Sequence, residues 1–381
     1  MKISSLVFGV LVTFAGLCSS GAQTSYTLAP LGTPGVSSFT PTAINNLGQI
    51  VGYQAIEGGE SAVVFQNGSL TTLPNATGYS FGRAYDINDF GQIVGDSYTG
   101  SGSVGFLYSN GSLTNVGNSR TARAINNAGQ IVGTASNHGY LYSAGVMTDL
   151  GAFVGRPQEN SSSALAINES GVIGGTSLSF GQYSPFVYKN GVMSPLQLAP
   201  NVPQGRGTFG GINDRGNIVG GSGNPVGSQL EAFALIDGQS INLNSLFVYP
   251  DASSVSYANT WADAINNSDV VVGMASVVRS GGGFNEYGFI YSLSDGLRLL
   301  DELFELSDGT VPGFTSLNSV VDINDLGQMI GTGMYFDGTS TFSAPFIVQT
   351  HTIPEPSVLF LLIVPLAAFL LRREAFSRNR F

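Results

Sequence analysis

Seven copies of one ten-residue pattern run through this chain, and no other feature narrows its possible folds so far. AINNLGQIVG stands at 43–52, DINDFGQIVG at 86–95, AINNAGQIVG at 124–133 and AINESGVIGG at 166–175. GINDRGNIVG follows at 211–220, AINNSDVVVG at 264–273 and DINDLGQMIG at 322–331. All seven share an Ile-Asn pair, whose asparagines are Asn45, Asn88, Asn126, Asn168, Asn213, Asn266 and Asn324. Successive asparagines are 43, 38, 42, 45, 53 and 58 residues apart. Self-similarity at this length means that one supersecondary unit is built repeatedly and buries its apolar faces against its neighbours. The unit itself reads as a tight turn. Asn-x-x-Gly suits a type I turn with Asn first and Gly in the left-handed region. The Gln-Ile-Val that follows is a short strand. A Gly closes every copy seven residues after the Asn, while the Gly three after it is replaced once, by Asp269. Each Asn side chain is expected to bond backbone near its own turn, a scaffold role.

A second motif lies between the copies: AVVFQNGSLTTL at 62–73, GFLYSNGSLTNV at 105–116, GYLYSAGVMTDL at 139–150 and PFVYKNGVMSPL at 185–196. AFALIDGQSINL at 232–243 and GFIYSLSDGLRLL at 288–300 continue the series. Each reads as strand, Asn-Gly-like turn, strand. One period therefore holds about four short strands, as in a β-propeller blade. The seventh copy, PFIVQT at 345–350, lacks its outgoing strand, and SYTLAPLG at 25–32 is an outgoing strand without an incoming one. The expected fold is all-β: a β-propeller of seven four-stranded blades, closed by pairing the N- and C-terminal strands, over residues 23–350. Closure removes the strand edges that an open β-solenoid, the rival architecture, would have to cap.

The units resemble the HAF repeats of bacterial extracellular proteins. Met147-Thr148-Asp149-Leu150-Gly151 and the Ala124–Gly133 segment carry the likeness, with the His-Ala-Phe of the family reduced here to Gly-Phe, Pro-Phe or Ala-Phe. The resemblance implies an extracellular repeat array and no particular chemistry.

Both ends read as targeting segments. Lys2, an uncharged run from Ile3 to Leu17 and the small residues Ser20-Gly21-Ala22 form a secretory signal peptide over 1–22, cleaved after Ala22. If Cys18 leaves with it, the mature protein holds no cysteine and no disulfide. At the other end, residues 358–371 are an uncharged, mostly apolar run that spans about 21 Å as a helix, short for a bilayer core. Arg372 and Arg373 follow at once, then Arg378 and Arg380, as cations do on the cytoplasmic side of a membrane segment. Ile353-Pro354-Glu355-Pro356, an apolar helix over 357–371 and a basic end over 372–381 resemble the PEP-CTERM sorting tail of Gram-negative bacteria. That resemblance implies transient anchoring in the inner membrane and cutting by an exosortase near Pro-Glu-Pro. Release to the cell surface or to an exopolysaccharide matrix follows. Signal peptidase and exosortase are then the processing partners.

Composition narrows the chemistry. Residues 23–356 hold nine basic against 24 acidic residues, net −15, which argues against nucleic acid as a partner. One Cys and two His leave little for thiol catalysis or a Cys/His metal centre. Neither His138 nor His351 stands in a catalytic motif. Asp86-Ile87-Asn88-Asp89 and Asp322-Ile323-Asn324-Asp325 gather oxygens that calcium favours, but a calcium site takes six to eight ligands, so turn capping is the expected role. No metal or cofactor is expected, calcium being the weak exception. Trp261 is the candidate for stacking on a sugar. The stretches 201–207, 251–260 and 277–286 depart most from the repeat and read as loops that could carry recognition. A glycosidase or polysaccharide lyase needs a carboxylate pair at a set separation beside an aromatic platform. The acids here are scattered, so a non-enzymatic binding or structural role is expected, with that enzyme as the alternative.

Overall fold

Each Asn-x-x-Gly copy turns the chain between the innermost strand of a blade and the next one out. In the third copy, the Asn126 N–H donates to the Gln130 carbonyl (3.1 Å) and the Gly129 N–H to the Asn126 carbonyl (3.0 Å). Gly129 has φ +73°, the left-handed conformation the motif demands. Asp269 accepts the same conformation at φ +59°. It puts its side chain to use: it takes hydrogen bonds from Asn213 and Asn217 and pairs with Arg215 at 2.7 Å, tying blade 6 to blade 5.

The computed structural model describes residues 23–353 except 36–37, 101, 117–120, 154–159, 204–205, 224–228 and 251. The sheets are seven, each of four strands. Blade 3 is typical: Thr121–Ile125, Ile131–Ala135, His138–Ser143 and Val146–Asp149, paired antiparallel in chain order. Blades 1 to 6 follow one another along the chain. Blade 7 orders Gly313–Ile323, Met329–Phe336, Thr341–Ile353 and, outermost, Gln23–Pro30 from the other end of the chain. The expected seven-bladed propeller with a split last blade is what forms. Thr27–Gln349 make up one compact unit. The described residues before Thr27 and after Gln349 group apart from it, and among them the Ser25 hydroxyl donates to the His351 carbonyl at 3.3 Å. The signal-peptide segment with Ala22 and the sorting tail from Pro354 through Arg372 and Arg373 lie outside the described residues. Ile353 ends the last strand. Among the described residues no helix is long and apolar enough to cross a membrane.

The core is divided among the blade interfaces instead of gathered at a centre. One cluster joins Ala43, Val51, Ala62 and Leu73 of blade 1 to Ala84, Ile87, Ile93 and Phe106 of blade 2. The third strand of six blades contributes a fully buried aromatic: Phe106, Tyr140, Phe186, Phe233, Phe289 or Phe346. In five of these blades it is the Phe of a Gly-Phe, Pro-Phe or Ala-Phe pair. The Gly closing each Asn-turn copy exists for the same packing. A Cβ on Gly133 would collide with the Thr121 carbonyl of the facing strand and press on the Tyr140 ring.

Two of the stretches expected as loops are strands instead. Residues 255–260 extend the innermost strand of blade 6, Val255–Ile265, and 277–286 belong largely to Val271–Arg279 and Phe284–Ser292. Cross-strand pairs such as Val277↔Asn285 carry the ladder outward, and Gly281-Gly282 form its tight turn.

Candidate functional site: a channel in two compartments

The innermost strands line a central channel, and the repeat dictates what faces it. At one end the Asn turns form a mouth. Each motif Asn points its carboxamide oxygen at its own turn: Asn45 Oδ1 accepts from the N–H groups of Leu47 (3.1 Å) and Gln49 (2.9 Å). This is the expected scaffold role. The other half of the carboxamide does something no local reading supplies. Asn45 Nδ2 donates to the Asn88 carbonyl, Asn88 to Asn126, and so on through Asn168, Asn213, Asn266 and Asn324, which donates back to the Asn45 carbonyl. Seven bonds of 2.9–3.1 Å thus make a closed ring across the blades.

A second closed ring lies beside it. The N–H of each following residue donates at 2.8–2.9 Å to the side-chain oxygen of its counterpart one blade on: Asn46 to Asp89, Asp89 to Asn127, Asn127 to Glu169, Glu169 to Asp214, Asp214 to Asn267, Asn267 to Asp325 and Asp325 to Asn46. Amides separate the acids except where Glu169 meets Asp214. Burial first, then Asp214 and Asp89, push the Glu169 carboxyl up. The mouth encloses about 230 Å³. Three residues on its turns stand out to solvent on consecutive blades: Leu326 (63% exposed), Leu47 (69%) and Phe90 (74%).

Below the mouth the seven motif isoleucines form an apolar collar. Ile167, Ile212 and Ile265 face both the mouth and a second compartment of about 250 Å³. The wall of this chamber is set by a β-bulge that recurs at one position in every innermost strand, three residues before the Asn. A bulge re-aims a side chain that the pleat would otherwise place elsewhere. The seven bulge residues are Thr42, Tyr85, Arg123, Leu165, Gly210, Asp263 and Val321, and all line the chamber. Around them the repeat is nearly uniform, yet here no two blades carry the same residue.

Three carboxylates share this chamber. Asp86 accepts from its own neighbour Ile87 N–H and from Ile125 N–H of blade 3, both at 2.8 Å. Asp322 does likewise with Ile323 N–H (2.9 Å) and Ile44 N–H of blade 1 (2.8 Å). Turn capping was expected of these aspartates; each instead clamps one blade to the next. Burial pushes Asp86 up to about 6 and Asp322 up to about 7 against the pull of those N–H groups, and nearby Asp86 adds to the rise at Asp322. Asp263 has no hydrogen-bond or ion-pair partner among the described residues, and burial alone pushes it up to about 7.

The sign of the consequence is fixed. A carboxyl that holds its proton more tightly when folded adds stability where both states are protonated, below about pH 4. That contribution is lost as the pH rises to about 7, where the folded carboxyl finally ionises. The full rise corresponds to about 4 kcal/mol, and roughly half of that is expected to survive in a wet lumen where an amide would also lack a partner. Asp263→Asn should therefore leave the melting temperature unchanged at pH 4 and raise it at pH 8, by on the order of 2 kcal/mol of stability. Calorimetry at the two pH values checks this, and an equal effect at both would refute the buried charge.

The remaining candidates lie elsewhere. Trp261 is half-buried in blade 6, lines neither compartment, and sets its indole edge against Gly221 of blade 5. His138 pairs with Asp149 at 2.9 Å on the outer strands of blade 3. Among the described residues no three His, Cys, Asp or Glu side chains are grouped closely enough to hold a metal.

No protein-family model matches the chain, and no curated protein matches it in sequence. Several solved structures align with its fold. The β-propeller domain of the Trilobed protease from Pyrococcus furiosus aligns with a TM-score of 0.43 at 9% identity, over 81% of this chain and 98% of that one. TolB from Acinetobacter baumannii aligns at 0.38 and 12% identity, over 87% and 97%. XC5397, a gluconolactonase from Xanthomonas campestris, aligns at 0.37 and 10%, over 86% and 90%. The blade count rests on the strand pairing itself.

Proposed function

We propose that the chain is an exported, non-enzymatic binding module that works at the cell surface or in the extracellular matrix and contacts exopolysaccharide. The sequence supplies the address. Signal peptidase removes residues 1–22, the apolar segment 358–371 holds the chain briefly in the inner membrane, and an exosortase cuts near Pro354-Glu355-Pro356. Ile353, Arg372 and Arg373 complete that signal. The observation that supports binding is the mouth, where exposed Phe90, Leu47 and Leu326 stand on the same turns that carry the ring of carboxamides and carboxylates. An apolar arc receives the CH face of a sugar and the polar ring its hydroxyls. Neither role needs chemistry.

Two measurements test this reading. Mass spectrometry of secreted material should find a C-terminus near the Pro-Glu-Pro; an intact arginine tail on mature surface protein would mean a permanent anchor. On a glycan array that includes the producer's own polysaccharide, Phe90→Ala should weaken binding about tenfold, as loss of an anchoring ring does. Trp261→Ala tests the alternative sugar contact between blades. An array with no bound glycan would sink the sugar reading.

One observation favours the enzyme alternative, a propeller glycosidase or lyase: Asp263 and Asp322 line one chamber, where burial pushes both carboxyls up to about 7, the direction a general acid requires. Polysaccharide cleavage abolished by Asp263→Asn would establish it.

A further inference from the structure

Two charged side chains in the chamber are left over after its internal bonds are counted. Asp263 has no polar partner among the described residues, and the protein surrounds it on every side but the lumen. Arg123 makes no hydrogen bond or ion pair among them either; its guanidinium lies over the Tyr85 ring at 4.3 Å. Stacking of that kind fixes the guanidinium plane while its edge N–H groups remain available to an oxyanion. The two are not a pair. Asp263 belongs to blade 6 and Arg123 to blade 3, as far apart as a seven-membered ring allows. The other two carboxylates are committed: Asp86 and Asp322 each accept two backbone N–H groups. Leu165, Val321 and Gly210 supply apolar or empty wall between. The isoleucine collar separates the chamber from the mouth, so this site is distinct from the proposed sugar contact.

An enclosed carboxylate with nothing to bind is a standing cost to the fold, and one ligand group of opposite charge would offset it. Arg123 stands open to the lumen, and the nearby Asp96 carboxylate makes no hydrogen bond or ion pair with it. We propose that the chamber binds a small zwitterion, its ammonium on Asp263 and its carboxylate on Arg123 and Tyr85, with a short apolar spacer between. A lumen of about 250 Å³ suits a molecule of amino-acid size. A divalent metal does not fit, because the carboxylates are not grouped. A simple amine leaves Arg123 unmatched, and a simple carboxylate leaves Asp263 so.

The test uses the full chain and a graded series of ω-amino acids, from β-alanine to 6-aminohexanoate, with butylamine and butyrate as single-charge controls. Titration calorimetry should show one chain length bound at least about tenfold more tightly than either control, since each end then meets a counter-charge in the lumen. Asp263→Asn and Arg123→Gln should each cut that affinity by about tenfold or more, while His138→Gln on the outer strands of blade 3 should leave it unchanged. Asp263→Glu, which keeps the charge, should shift the preferred length downward by about one methylene, guarding against a variant that simply misfolds. Single-charge controls binding as tightly as every zwitterion, or affinities unmoved by both neutral variants, would overturn the proposal. Because the glycan array reads the other face, its outcome does not decide this one.

Discussion

Removing residues 25–32 is expected to collapse the cooperative unfolding transition of the whole propeller. That segment supplies the outermost strand of blade 7 and then Leu31, which is 3% exposed and packs with Phe39, Ile44, Ile50, Val63 and Ile330. The Leu31 N–H also donates to the Pro345 carbonyl at 2.9 Å. A lost strand ladder at about 1 kcal/mol per bond, with about 2–3 kcal/mol for the leucine, amounts to roughly 5–8 kcal/mol. That is comparable to the entire stability of an ordinary domain. The inner seam between blades 7 and 1, made by Asp322, Asn324 and Asp325 on Ile44, Asn45 and Asn46, stays in place. It would hold a ring whose last blade has an open edge, a surface that invites aggregation. Circular dichroism melts of the deletion beside Leu31→Ala separate the two contributions, the single change costing about 2–5 kcal/mol. A deletion variant melting within a few degrees of the intact chain would show that the inner seam alone closes the ring.

The scaffold was legible in the sequence because its residues do the same work in every blade. Asn45 and its six counterparts, the left-handed Gly129 position and the split seventh blade all announce themselves by repetition. The chamber was hidden for the opposite reason. Thr42, Tyr85, Arg123 and Asp263 occupy one repeat position but share no chemistry, so no motif marks them. Their aim depends on a bulge that strict strand alternation does not foresee. Asp86 and Asp322 were visible as an oxygen-rich pattern, yet their true partners, Ile125 and Ile44, are 39 and 278 residues away. Local reading credits such a side chain to its own turn, as it did the Asn carboxamide. Residues 255–260 and 277–286 misled in another way: they break the repeat length, and lengthened strands break it as thoroughly as loops do.

Asn45 offers the sharpest separation of the two roles an Asn plays at the mouth. It is 4% exposed, and its Oδ1 holds two turn N–H groups while Nδ2 reaches Gln49 Oε1 (2.7 Å) and the Asn88 carbonyl (3.0 Å). Asn45→Ala leaves all four of those groups without this partner. At about 1–3 kcal/mol for each group that water cannot reach, a loss of roughly 4 kcal/mol is expected. Asn45→Asp is the decisive variant. Asp suits the first position of such a turn as well as Asn does, and it preserves both N–H acceptors. If the turn were its whole role, the change would be nearly neutral. The second oxygen, however, would face the Asn88 carbonyl and Gln49 Oε1, three acceptors together with a buried charge. Asn45→Asp should therefore destabilise at least as much as Asn45→Ala at pH 7, and recover in part at pH 4, where a protonated carboxyl can again donate. Denaturant melts of the two variants at both pH values decide the matter. An Asp variant as stable as the parent at pH 7 would reduce the seven-membered ring of hydrogen bonds to ornament on seven independent turns.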